Sequence, residues 1–267
     1  MKTLPLMAVM SVTLLSGCDR APNARDICND TPALCTDLNT SGWCRHNRAA
    51  VIHARYQFQS TADDAHRFNE IVELEQYVEC MSNIAQMVSR TPGKSIEQER
   101  SLFYLKGLES LESLQKATSK ASHPGLSLYH WTRFNDTDAL ERFLSAESKD
   151  QIEGLLLKRL TGIYFTKSNP EKAKRYLLDV VEANPQAARL DQELLTQLGF
   201  VMNELGEHQA AFLFTYLGQR NNNLASPTAL AQHLGLPTQQ TEALVQRADE
   251  MANAMRDGEP IRERFNL

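Results

Sequence analysis

The chain contains no uninterrupted apolar run of the roughly twenty residues that a permanent membrane helix requires; its most apolar stretch, Leu4 to Leu15, is about twelve residues long. Positive charge is also in short supply, with 28 Lys and Arg against 33 Asp and Glu and a formal net charge of -5. A surface built to neutralise nucleic-acid phosphates or anionic lipid is thereby excluded. Catalytic signatures are missing as well: there is no G-x-S-x-G, P-loop, H-E-x-x-H or glycine-rich dinucleotide turn. No catalytic residue, cofactor or metal is therefore expected.

The amino terminus has the three-part grammar of an export signal: Lys2, the apolar run, then Ser16 and Gly17. Arg20, Asn23, Arg25 and Asp26 follow at once, which suits a passing signal better than an anchor. Leu15-Ser16-Gly17-Cys18 resembles the lipobox of bacterial lipoproteins. The resemblance implies cleavage before Cys18, lipid on its sulfur and amine, and a chain held at the periplasmic side of the cell membrane. Asp19, directly after it, resembles the sorting signal that favours the inner membrane over the outer. Loss of Lys2 with the signal takes the formal charge to about -6, and residues 18–267 are long enough for a sizeable core.

Four further cysteines, Cys28, Cys35, Cys44 and Cys80, form an even set that favours two disulfides in an oxidising compartment. Their spacing lacks the C-x-x-C knuckle of structural zinc sites. Four cysteines allow three connectivities. A helical hairpin turning near Ser60 would set Cys44 opposite about residue 77, one turn from Cys80, which selects Cys44–Cys80 and Cys28–Cys35.

From Trp43 the chain reads as helices: 43–58, an amphipathic stretch 62–88 carrying Phe68, Ile71, Val78 and Met81, and, after the stop at Arg90-Thr91-Pro92-Gly93, a helix from a Ser95 cap to Ser119. Leu102, Leu105, Leu108, Leu111 and Leu114 recur every three residues. They wind around a helix of 3.6 residues per turn and predict burial from more than one side.

A repeat follows. With Ala139, Ala173 and Ala211 as anchors, 34 and 38 residues apart, Leu126, Leu160 and Leu198 stand thirteen before, and Phe143, Leu177 and Thr215 four after. His123, Leu157 and Leu195 stand sixteen before, His130, Tyr164 and Met202 nine before, and Ala146, Val180 and Gly218 seven after. Asn169-Pro170 separates the two helices of the middle copy and Asn184-Pro185 closes it. The pattern resembles tetratricopeptide and Sel1-type repeats, with departures at His123, His130 and Thr215. That resemblance implies an all-α fold of helical hairpins stacked as a short solenoid, behind a disulfide-stapled irregular segment. The expected divisions are 1–17, 18–42, 43–119, 120–225 and 226–267. Ser226-Pro227 to Gly235 with a helix 238–255 resembles a helix-turn-helix, but its second helix reaches no basic residue before Arg247, so capping of the array by Leu244, Ala248, Met251, Ala252 and Met255 is the expected role.

Ile27-Cys28, Leu34 to Asn39 and Gly42-Trp43-Cys44-Arg45 resemble a family of Gram-negative lipoproteins known only as a domain of unknown function, which brings no activity with it. The leading expectation is a lipid-anchored protein that binds or scaffolds another envelope protein or peptide. A cell-wall enzyme or enzyme activator, and a structural envelope component, are the other readings. In tetratricopeptide-like arrays the first helix of each pair lines the concave face. The register places Leu128, Trp131, Lys158, Phe165, Phe200 and Asn203 there, with Trp131 and Phe165 as the aromatic anchors; the alternative is that Phe165 and Phe200 are core residues packed on the tail helices. The anchor itself is tested by palmitate labelling: radiolabel is expected in the wild type and lost in Cys18→Ser, and an unlabelled wild type would refute the lipoprotein reading.

Overall fold

Pairing of helices, one covering the apolar face of the next, organises both halves of the chain. The computed structural model describes residues 22–88, 94–220 and 226–267. The export signal, Cys18, Asp19 and the stop at 90–93 lie outside the described residues, as does the Ser95 side chain. The described elements are all helical, and the chain divides into two compact units at Thr118/Ser119.

In the first unit, α1 (Ala24–Asp30) starts at Asn23, whose side chain accepts from the Arg25 and Asp26 N–H groups. A short 3-10 turn follows at Pro32–Leu34. Cys28 and Cys35 are bonded across it, with Cα atoms 5.8 Å apart. Next, α2 (Arg45–Thr61) and α3 (Asp64–Ala85) form an antiparallel hairpin. Ala62 ends α2 in the left-handed conformation at φ 55°, and Asp63 caps α3. The open end is closed by Cys44–Cys80, Cα atoms 6.0 Å apart, so the chain carries the two bridges expected from the hairpin register. Val51, Ile52, Phe68, Ile71, Leu74, Tyr77 and Met81 are all at most 3% exposed between the helices.

The third long helix, α4 (Lys94–Thr118), approaches α3 at Gly107, where an added Cβ would lie 3.1 Å from Val78 and 3.2 Å from Tyr77. The leucine repeat is not buried on all sides. Leu111 and Leu114 are covered, whereas Leu102, Leu105 and Leu108 are 49%, 55% and 36% exposed. A repeat that drifts around the helix brings only part of itself onto the covered faces.

The second unit holds three successive pairs: α5 (Pro124–Phe134) with α6 (Thr137–Ser148), α7 (Leu155–Phe165) with α8 (Pro170–Ala183), and α10 (Gln192–Glu204) with α11 (His208–Gln219). The short α9 (Pro185–Ala188) lies between the second and third pairs. Four helices start alike, with a side-chain acceptor followed by Pro: His123, Asn169, Asn184 and Ser226 each accept a backbone N–H of the first turn. Proline has no N–H to leave unpaired and its φ already suits a helix. Asn184-Pro185 thus opens a helix as well as ending one.

The anchors Ala139, Ala173 and Ala211 lie on the second helix of each pair, all 0% exposed. Small residues on the first helices complete the approach. A Cβ at Gly162 would meet Leu177 at 2.7 Å, and one at Gly199 would meet the Thr215 hydroxyl at 2.1 Å and its backbone N at 2.9 Å. Thr215 departs from the large apolar pattern because Gly199 faces it across too narrow a gap for a longer side chain. Ion pairs tie one pair to the next. Glu147 of α6, buried, accepts from Lys172 (2.6 Å) and the Tyr176 hydroxyl (3.1 Å) of α8, while Arg159 of α7 reaches Asp191 (2.6 Å) before α10. Burial, with the neighbouring Glu147 charge, pushes the Tyr176 hydroxyl up to about 12.

The tail contributes α12 (Pro227–His233), α13 (Thr241–Arg256) and α14 (Arg262–Phe265). Leu244, Ala248, Met251, Ala252 and Met255 of α13 are buried, and α13 packs against α11. The last segment is fastened to α8: Glu182 accepts the Ile261 and Arg262 N–H groups, and Asp179 pairs with both Lys158 and Arg262. Ile261 and Phe265 are buried beneath it.

His130 is 3% exposed on α5 and stacks on Phe134 with centroids 5.6 Å apart. Burial, aided by Arg142 and opposed by Asp136, holds its imidazole below the usual histidine range. The unfolded chain therefore binds the extra proton more readily. Stability is expected in full above about pH 6.5, the ordinary histidine value, and to decline as the pH falls below it. Urea unfolding of wild type and His130→Phe at pH 5.5 and 7.5 checks this; an equal acid loss in the variant would assign the effect to other groups.

Candidate functional site

In the third helix pair, Gly199 presses against Thr215, and the next residue, Phe200, is left facing outward at 45% exposed. Across from it runs α12, which contributes Ala229, Leu230, His233 and Leu234. Between them lies a half-enclosed cavity of about 320 Å³, completed by Thr196, Asn203 and Gln219. Its walls are apolar at Phe200, Leu230 and Leu234 and polar at Asn203, Gln219 and His233. Asn203 is oriented by His208, 3.3 Å from its side-chain oxygen. Apolar walls with a few polar groups at the rim are the composition that ligand pockets commonly have.

The six residues of the expected groove do not form one surface. Phe200 and Asn203 share this cavity. Phe165 is 6% exposed and packs on Tyr164 (4.9 Å) and Phe143 (6.4 Å) between ring centroids, and Leu128 is 3% exposed. Both are core residues and offer no face to a partner, although Trp131 and Lys158 on the same two helices are only half-buried. Lys158 is held by Asp179 at 3.0 Å. Trp131 is half-buried on α5, at a different helix pair from the Phe200 cavity.

The first unit contains a charged cleft of about 680 Å³ that no sequence pattern announces, lined by Asp37, Arg55, Phe58, Arg67, Glu70 and Ser110 among others. The Arg55 guanidinium is nearly buried, at 11% side-chain exposure. It donates to both Asp37 oxygens (2.6 and 2.7 Å), to Glu70 (3.1 Å) and to the Leu34 carbonyl (2.9 Å). Arg67 holds the other Glu70 oxygen (2.8 Å) and lies 3.6 Å above the Phe58 ring. Ser110 of α4 donates to Asp37 (2.7 Å). Burial by itself would raise the Asp37 carboxyl, but Arg55, assisted by Ser110, holds it below the usual carboxylate range. The same burial opposes charge on Arg55, and Asp37 and Glu70 outweigh it. The one available signal is Arg55 itself, a cation among Val51, Ile52 and Phe58 on the apolar face of α2; its partners, 18 residues before and 15 after, have no sequence signature.

This cluster joins the stapled segment 31–44 to α2, α3 and α4 with matched charges. Arg55→Ala leaves two carboxylates without their shared partner and is expected to destabilise the protein by about 3–5 kcal/mol, measured by urea unfolding with disulfides intact. A loss under about 1 kcal/mol, the level of an exposed pair, would show that the cluster is solvated and dispensable.

Among protein families, the chain matches the one described as "Protein of unknown function (DUF2989)", over residues 15–216. No curated protein and no solved structure matches the chain. The matched segment takes in the disulfide-stapled unit, the Arg55 cleft and the three helix pairs as far as Tyr216, leaving the tail helices outside it. Because the match spans well over half of the chain, this protein belongs to that family, described as proteins of unknown function (DUF2989).

Proposed function

We propose that the protein is a lipid-anchored, periplasm-facing helical-repeat protein that binds another envelope protein or peptide. The observation that carries the binding role is the cavity at Phe200. An exposed aromatic ring stands over a half-enclosed pocket with apolar walls and a polar rim, an arrangement suited to an apolar side chain offered by an extended or helical segment. Aromatic residues in such settings contribute large contact area at low entropic cost.

Three further features favour the rest of the reading. The anchors Ala139, Ala173 and Ala211 occupy equivalent buried places in successive helix pairs, as a repeat of the tetratricopeptide kind requires. Two disulfides suit an oxidising compartment. Leu15-Ser16-Gly17-Cys18 supplies a lipidation signal, and two or three acyl chains hold a domain firmly at a membrane surface.

The test is a crosslinked pull-down from envelope membranes with wild type and Phe200→Ala, paired with thermal melting of each. Phe200 is half-exposed, so the variant is expected to melt within about 2 °C of wild type, a surface-level change, while losing the crosslinked partner. Recovery of the same partner by the folded variant would eliminate the cavity as the binding site.

A further inference from the structure

Trp43 is an exposed aromatic residue whose backbone the fold holds still. It directly precedes Cys44, which is bonded to Cys80, and its carbonyl accepts from the Asn39 side chain at 3.0 Å. Asn39 is buried and is fixed in turn by the Tyr77 hydroxyl, which accepts its backbone N–H at 2.9 Å. The Arg100 guanidinium of α4 lies 5.3 Å from the centre of the Trp43 ring and donates to the Met87 carbonyl at 3.1 Å. The start of α2, the chain just past α3 and the first turns of α4 thus meet at one end of the first unit.

The outward side chains at this end are large and apolar. Trp43, Met87 and Ile96, one turn before Arg100, are all more than two-fifths exposed, and Val88 is 86% exposed. They stand at helix ends, not along a seam between two helices. Single exposed apolar residues need no explanation, but a group of them gathered around one point marks a surface that something covers.

The chain ahead of α1 indicates what covers it. Arg48, in the first turn of α2, lies 3.9 Å from the Cys28 sulfur, so α1 is seated beside the end of α2 that carries Trp43. With 7 residues, α1 is only about 10 Å long. Cys18 precedes Pro22, the first described residue, by four positions, a reach of at most about 14 Å. With lipid on Cys18, as proposed above, a bilayer surface lies within that reach of Pro22. The composition suits that surface. Tryptophan concentrates at the boundary of headgroups and acyl chains, where its ring is in apolar surroundings and its N–H in polar ones. Arg100 keeps its charge among the headgroups while its stem lies on Trp43, and its bond to Met87 leaves that carbonyl paired when water is excluded. The net charge of the chain is negative, so apolar contact, not attraction to anionic lipid, carries the insertion. We propose that Trp43, Met87, Val88 and Ile96 form a tip that enters the headgroup layer of the membrane, a second and non-covalent contact that sets how the first unit stands on it. The proposal rests on the lipid-anchored reading.

The experiment couples residues 18–267, which hold every described residue, through Cys18 to a maleimide lipid in phosphatidylcholine vesicles. Both disulfides are kept intact, so Cys18 is the free thiol. Tryptophan emission is read with lipids brominated about 5–10 Å below the surface, the depth of an interfacial apolar face. A blue shift and quenching are expected in the wild type. Both should be lost in Trp43→Phe, which leaves Trp131 as the remaining indole. Quenching should fall at least twofold, or about 0.4 kcal/mol in partition, in Val88→Asp/Ile96→Asp, whose exposed positions leave melting unchanged. An unquenched wild type, or equal quenching in either variant, would overturn the proposal. So would a blue shift that appears without bromine and grows with protein density, which would assign the tip to a second copy of the chain. Because the coupling is chemical, these outcomes do not depend on lipidation in the cell, which palmitate labelling decides separately.

Discussion

The structure depends on how closely paired helices approach. Without a sheet ladder to join them, helices are held together chiefly by side-chain burial, and short ones of eleven to fourteen residues are marginal alone. Each must therefore lay one face tightly on a neighbour. In the second unit that approach is set by residues with little or no side chain: Ala139, Ala173 and Ala211 on the second helices, Gly162 and Gly199 on the first. Beside the close approach of Gly199 and Thr215, Phe200 stands over the cavity that α12 completes. The cavity thus lies beside the closest approach of the pair.

Charge acts at the joints. Glu147 with Lys172 and Tyr176, Arg159 with Asp191, Asp179 with Lys158 and Arg262, and Arg55 with Asp37 and Glu70 each connect elements that apolar contact alone would leave free to slide. Buried ion pairs contribute little net stability, since desolvation offsets most of the attraction. Their effect here is on position: the Arg55 guanidinium, bonded to Asp37, Glu70 and the Leu34 carbonyl, ties the irregular segment to the α2–α3 hairpin.

Much of this architecture is legible in the order of residues alone. Local signals mark the helix starts at Asn169-Pro170 and Ser226-Pro227, and the cysteine count with a hairpin register leads to both bridges. The anchor spacing finds the three pairs because small residues at fixed intervals are a direct record of close approach. What is not legible depends on partners distant in sequence. The leucine repeat of α4 suggests burial from more than one side, yet Leu102, Leu105 and Leu108 stay exposed. Phe165 has the composition of a binding anchor and the position of a core residue, a distinction set by Phe143 of the preceding helix. Phe200, by contrast, stays at the surface, turned about 100° around α10 from Gly199.

The most direct test of close helix approach is the unfolding free energy of Gly199→Ala by urea denaturation. In an open helix the change would stabilise by about 1 kcal/mol, since alanine is the better helix former. Against Thr215, 2.9 Å from the added carbon at its backbone nitrogen, overpacking costs of about 1–3 kcal/mol outweigh that gain. A net loss of up to about 2 kcal/mol is predicted from these opposing terms; a gain of about 1 kcal/mol, the bare propensity effect, would contradict close helix approach as the organising constraint.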